Sequence, residues 1–255
     1  MMISEFNTIK VKIAADYCHI HLNRPDVMNA FNPIMIQELQ QVFDTLMSTN
    51  IRCVVLDAMG KSFCSGADLN WMKESKTYSQ EKNEADARTL LHLFKTIDCC
   101  SVPVIAVVHG YVIGGGIGLV ASCDYVIAQE DTIFSLAEVK LGLVPAVIGP
   151  FVMRKIGVSW TRALFLTAQR FKAHKAYEIG LVHDVRSTLK MAHDEVVTLV
   201  KHVVKAYPNA VKISKTLIAD FHDKDFDEQT EIAVKTLAQV RVSDEAQEGI
   251  DGFLG

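Results

Sequence analysis

Apolar and polar residues alternate over 8–13 (TIKVKI) and 17–22 (YCHIHL), the period of half-buried strands, and the polar residues 14–16 between them predict a turn. RPDVMNAFNP then reads as a loop that ends in a helix start, since Asn32 can cap and Pro33 suits the first helical position. The helix predicted over 33–49 carries an apolar stripe at Ile36, Leu39, Val42, Phe43 and Leu46. IRCVVLDA (51–58) is a continuous β-branched run of the kind expected for a strand covered on both faces. Residues 73–84 are polar and aperiodic, which predicts a mobile surface segment ahead of a helix near 84–99. VPVIAVVHG (102–110) is a second buried strand leading through a glycine stretch into a helix that reaches Cys123. Residues 124–129 and 132–136 predict two more strands. From 148 onward the pattern turns helical (149–157, 159–168, 173–179, 188–206, 208–222, 226–241, 243–253), interrupted only by a candidate strand at 181–185. Strands alternating with helices early and helices alone late indicate an α/β body with an α-helical C-terminal part. There is no strict repeat, although strand, glycine turn and helix recur after residues 57 and 108.

Composition narrows the function classes. A chain of 255 residues, 49% hydrophobic and 22% charged, can bury a substantial core. Its net charge is −4 with Lys and Arg scattered, so the basic footprint of a nucleic-acid binder is missing. Six cysteines lie mostly inside apolar runs without a CxxC pair and read as reduced core residues. Nine histidines show no HExxH-type spacing, so no metal is expected. MMISEFNTIKVKI lacks both a signal-peptide core and an Arg-rich transit pattern, which makes a cytoplasmic location the expectation.

The stretch HGYVIGGGIGLVASCD (109–124) poses the chemical question, with three possible uses for its glycines. Gly114 and Gly118 have the GxxxG spacing of membrane helices, yet Pro103, His109 and the glycines interrupt the run and no positive flank follows. No membrane span is expected. The spacing of Gly114, Gly116 and Gly118 is not the GxGxxG of dinucleotide sites, and no Walker lysine follows. The remaining use is a helix start whose first N–H groups a substrate oxygen can approach. FCSGADL offers a second such donor, because a Ser65-Gly66 turn after a buried strand can aim the N–H of Ala67 outward. Either motif alone could equally be a tight packing turn.

LNRPDVMNAFN (22–32), FCSGADL (63–69), VHGYVIGGG (108–116), CDYVIA (123–128) and FSLAEVKLGLVP (134–145) together resemble, in order and spacing, the crotonase or enoyl-CoA hydratase/isomerase superfamily. The resemblance implies an α/β fold built as a spiral of ββα units (1–187), followed by a helical C-terminal trimerisation region (188–255). It implies that the amides of Ala67 and Gly115 hold the oxygen of an acyl-CoA thioester as it becomes an enolate. It places coenzyme A, as part of the substrate and not as a cofactor, against Val27, Ala30, Ser65, Asp68 and Leu69. Trp71, Met72 and Gly118 would line the acyl pocket.

Hydratases of the superfamily usually present two glutamates. Here the second is Glu138, whose setting after an apolar strand suggests partial burial and a raised pKa. The first is replaced by Gly118. The wording GADLNWM, GGGIGLVASCD and AEVKLGLVPAVIGPFV is similar to a bacterial branch acting on 3-methylglutaconyl-CoA and related substrates, whereas isomerases of the superfamily manage with one glutamate at the Glu138 position. A non-catalytic acyl-CoA-binding member is the alternative from another class. His109 is expected to bond backbone at a strand end, Asp68 to cap the helix after it, Asp124 to tie down a turn, and Cys64 and Cys123 to pack. Ile232, Val234, Leu237 and Val240 on the 226–241 helix are too apolar to stay wet, so a homotrimer or a dimer of trimers is expected.

Overall fold

The computed structural model describes residues 5–46 and 48–254. β1 (Ile9–Ile13) and β2 (Tyr17–Leu22) form the expected antiparallel hairpin, with Ile9 opposite Leu22. α1 (Pro33–Leu46) begins at the predicted cap, where Asn32 Oδ1 accepts from the Met35 N–H at 2.9 Å. Its whole predicted stripe is buried; of the expected 33–49, position 47 lies outside the described residues and 48–49 are not helical.

β3 (Cys53–Ala58), β4 (Val104–Val108), β6 (Tyr125–Gln129) and β9 (Asp184–Arg186) extend the hairpin into one sheet, ordered β1-β2-β3-β4-β6-β9 and parallel from β2 onward. Both faces of β3, β4 and β6 are covered, which is why these central strands read as apolar runs, whereas β1 and β2 at the edge keep the alternation of half-buried strands. Val54 and Leu56 belong to the larger core with α1, whereas Cys53 and Val55 face Ala192, Val196 and Val200 of α7 (Leu189–Lys205). The strand expected at 181–185 sits at 184–186, because Leu181 and Val182 are used as core residues after the Gly180 turn.

A second, three-stranded sheet was only partly predicted: β5 (Tyr111–Ile113), β7 (Ile133–Ser135) and β8 (Phe171–Lys172). β5 and β8 are too short to show a period of two. Their existence depends on neighbours, since β5 pairs with β7 and Cys64 bridges to Val112. Gly110 makes the turn from β4 into β5 at φ 61°, and a Cβ there would lie 2.0 Å from the Lys61 carbonyl oxygen.

The segment expected to be mobile is helical instead. α2 (Leu69–Glu74) runs into a 3-10 turn at Ser75–Thr77, and α3 (Gln80–Asp98) starts at Ser79, whose hydroxyl accepts from the Lys82 N–H. Its first turns escaped the periodicity because burial begins only at Leu93, Phe94 and Ile97. α4 (Gly115–Ser122) is almost wholly buried. α5 (Gly149–Thr167) is broken at Gly157, with φ 73° and ψ 165°, which divides it as the sequence suggested. α6 (Ala173–Glu178) follows β8. α8 (Pro208–Phe221), α9 (Phe226–Arg241) and α10 (Asp244–Leu254) complete the chain, and none has a buried residue. Among the described residues no helix is long and apolar enough to cross a membrane.

Candidate active site

Three chain segments meet because strand pairing makes them neighbours. β5 and β7 run parallel with Ile113 beside Ser135, so the residues following each strand emerge together at the same sheet end. Gly114 follows β5 and Glu138 opens the short turn after β7. The Gly114 N–H donates to the Ser135 carbonyl at 2.9 Å. A Cβ on Gly114 would lie 2.9 Å from Glu138 Oε1, so glycine here leaves room for the carboxyl group, and its φ of 50° suits glycine as well. The third segment joins through Cys64, whose carbonyl accepts from the Ile113 N–H at 2.9 Å. Gly66, with φ 97°, then lies against the same turn, its Cβ direction 4.0 Å from the Gly115 nitrogen.

The two amides of interest have no acceptor among the described residues. Phe31 and Ala67 form a parallel bridge in which Phe31 uses Gly66 O and Asp68 N, so the N–H of Ala67 itself faces away from that pairing. Gly115 is the first residue of α4, where N–H groups lack intrahelical partners and the helix dipole is positive. Ala67, Gly115 and Glu138 line one cavity of about 850 Å³. Burial pushes the Glu138 carboxyl above the usual carboxylate range, against the opposing pull of its own backbone N–H. Its Oε2 and Trp71 Nε1 are buried without a hydrogen-bond partner among the described residues.

Val27, Ala30, Ser65, Asp68 and Leu69 line the same cavity, as do Trp71 and Met72. Gly118 does not. A Cβ there would sit 2.5 Å from Ile148 Cγ2 and 2.9 Å from Phe94 Cζ, so the position lies behind the cavity wall and the space a longer side chain needs is already filled. Asp68 has the expected capping role, accepting from the Asn70 N–H at 2.9 Å, and also pairs with Arg24 at 2.9 Å. His109 Nε2 meets the Gly60 carbonyl at 3.0 Å, and Asp124 accepts from the Val104 N–H at 2.7 Å. All six cysteines are free, and Cys64 and Cys123 are buried.

Asn29, Lys73 and the 141–148 segment also belong to the site region, although no motif assigns these residues an individual role there. Asn29 is fully buried at φ 54°; its side chain accepts from Arg24 N and donates to Met59 O and Ser62 O, tying the 24–30 loop to the segment before Ala67. Leu141, Val144 and Ile148 line the cavity together with Glu138, and Lys73 is the one lysine or arginine among its described lining residues. Elsewhere on the sheet, His19, His21 and Asp57 converge, a grouping that no sequence spacing signals.

The family model for enoyl-CoA hydratase/isomerase matches residues 12–255. A short-chain-enoyl-CoA hydratase of Clostridium acetobutylicum is 31% identical over 217 residues, covering 84% of this chain and 82% of that one. The crystal structure of an enoyl-CoA hydratase from Shewanella pealeana superposes with a TM-score of 0.93 at 34% identity, covering 98% of this chain and 94% of that one. The peroxisomal Delta(3,5)-Delta(2,4)-dienoyl-CoA isomerase of Arabidopsis thaliana is 28% identical over 244 residues, covering 91% and 87%. With five motifs in order, a parallel sheet flanked by helices and a match along nearly its full length, this chain belongs to the enoyl-CoA hydratase/isomerase family of the crotonase superfamily.

Proposed function

We propose that this protein adds water to the α,β double bond of an acyl-CoA thioester, with Ala67 and Gly115 as the oxyanion hole and Glu138 as a single acid–base group. One observation carries the reading: the Glu138 carboxyl group, its Oε2 buried and without a partner among the described residues, is held with Oε1 toward Gly114 in a glycine turn whose first helical amide is unspent. Glu138 takes a proton from water as the water oxygen bonds to C3. Electron density moves onto the thioester oxygen, where each amide contributes on the order of 3 kcal/mol to the transition state. The proton held by Glu138 passes to C2 on the same face, so H and OH add syn and the carboxylate is regenerated. The thioester itself makes C2 acidic, and no separate cofactor enters the steps.

Val27, Ala30, Ser65, Asp68 and Leu69 take the coenzyme A portion in this reading, and Trp71 and Met72 the acyl chain. Support for a glutaconyl-type acyl group, branched as in 3-methylglutaconyl-CoA, comes from the motif wording and from Lys73, an exposed cation in a lining that also holds Asp68 and Asp86. A second reading, isomerisation of a 3-enoyl to a 2-enoyl thioester, is favoured by Gly118: with Ile148 and Phe94 filling the space beside it, no second carboxylate can stand there, and one carboxyl group moves a proton between C2 and C4 unaided. A non-catalytic acyl-CoA binder would have no use for a carboxyl group kept buried and unpaired, which costs stability. The uncovered C-terminal helices support a homotrimer or a dimer of trimers.

Purified protein assayed with 3-methylglutaconyl-CoA, crotonyl-CoA and a 3-enoyl-CoA separates these readings. Hydration of the first two that falls about 10²–10⁴-fold in Glu138→Gln, with CoA-thioester binding retained, is the expected result. Unchanged turnover in Glu138→Gln overturns the assignment, and turnover of the 3-enoyl substrate alone makes the enzyme an isomerase.

A further inference from the structure

His19 and His21 stand one residue apart on β2, and alternate residues of a strand project from the same face. The parallel register sets His21 beside Asp57 of β3, on the face covered by α7. Asp57 Oδ2 lies 2.9 Å from His19 Nε2, and its Oδ1 contacts His21 Nδ1. The two imidazole centroids are 3.9 Å apart. One ring nitrogen from each histidine and a carboxylate oxygen all fall within 4.8 Å of one another. From α7, His193 Nε2 approaches Asp57 Oδ2 at 3.7 Å. The Asp57 side chain is only 5% exposed, whereas His19 and His21 are 20% and 25% exposed. The cluster is therefore a buried carboxylate anchor flanked by two half-buried imidazoles.

We infer that His19, His21 and Asp57 form a binding site for a divalent transition-metal ion of the zinc, nickel or copper type, with the fourth position open to water and His193 supporting Asp57 from outside the ligand set. Two imidazoles and one carboxylate are a donor set that such ions prefer, whereas calcium and magnesium favour oxygen ligands throughout. Bonds of ~2.0–2.2 Å in tetrahedral geometry separate ligand atoms by ~3.3 Å. The histidine–aspartate contacts are closer than that, so the ion replaces the hydrogens they share and the three side chains open by small rotations. None of the three lines the acyl-CoA cavity, so the site stands independently of the proposed reaction. A bound ion joins the ends of β2 and β3, just ahead of the 59–66 segment that leads to Ala67.

The test is titration of the full chain, carrying no affinity tag, with Zn²⁺ and with Co²⁺ as a spectroscopic probe at neutral pH. One ion per chain, a rise in Tm and the visible bands of a nitrogen- and oxygen-ligated Co²⁺ are expected. His19→Gln with His21→Gln, substitutions that keep a polar side chain at each position, should abolish stoichiometric binding while enoyl-CoA turnover persists. His193→Ala should weaken binding about 10–100-fold if it supports the site from outside. Equal binding in wild type and the double variant, or no binding of either ion at millimolar concentration, overturns the inference. Should the double variant fail to fold, Asp57→Asn supplies the same comparison.

Discussion

Glu138 works at a cost that its own titration makes measurable. Burial raises its folded-state pKa above the value in the unfolded chain, so the native state holds a proton that the unfolded state has already lost. Stability therefore falls as pH rises from the ordinary carboxylate range through the raised pKa, and the loss is complete above it. At pH 7–8, Glu138→Gln should raise Tm while removing turnover, which thermal unfolding and a rate assay on one preparation would check. Because the base must be ionised to accept a proton from water, the acidic limb of kcat/KM should lie at higher pH than an unperturbed glutamate would place it. Gly118 shows the opposite kind of constraint. Its Cβ direction points into Ile148 and Phe94, so Gly118→Ala should destabilise by about 1–3 kcal/mol through overpacking, less the ~1 kcal/mol that alanine recovers in a helix. Gly118→Glu should cost more and add no hydration, and Ile148→Ala in the same chain should restore part of the lost Tm.

At the level of elements, the site is assembled by short pieces that cannot stand alone. β5 has three residues and β8 two, yet the position of Gly115 relative to Glu138 depends on the pairing of β5 with β7. In the 24–30 loop, Asn29 does by side chain what a strand does by backbone, donating to the carbonyls of Met59 and Ser62. Asn29→Ala removes three hydrogen bonds and places alanine at a φ of 54°, so a loss of about 2–4 kcal/mol is expected in chemical denaturation. The variant should also raise KM for CoA thioesters more than it lowers kcat, since it loosens the 24–30 loop and leaves Glu138 in place.

Over the whole molecule, burial ends before the chain does. α7 seals one face of the main sheet, whereas α8, α9 and α10 leave Ile218 at 73%, Phe226 at 77% and Phe253 at 92% exposed. Large apolar side chains left this exposed on successive helices are a surface that another copy can cover. Sedimentation equilibrium should give three or six times the chain mass, and Phe226→Asp with Val234→Asp should shift the protein toward monomer with a lower Tm. A monodisperse wild-type monomer at micromolar concentration would refute the assembly.

What was legible in the residues, and what was not, follows from how local each signal is. The hairpin, α1 and its Asn32 cap, the buried strands 53–58 and 104–108, and the glycine-opened helix were written in periodicity and capping, which depend on neighbours a few positions away. Ala67, Gly115 and Glu138 could be picked out by motif order, and the cavity brings them to one place. The 73–84 segment was misjudged because a helix exposed along most of its length shows little apolar stripe. β5 and β8 were passed over because strands of three and two residues are defined only by their partners. The histidine pair on β2 was visible as H-x-H, but the carboxylate that completes it lies 36 residues away along the chain and arrives by strand register alone. Sequence by itself determined which groups have the chemistry and which short segments hold them, since side-chain type and local backbone preference travel with each residue. Tertiary structure alone decided which of those groups face one another, because parallel pairing and packing between distant elements set distances that no local pattern encodes.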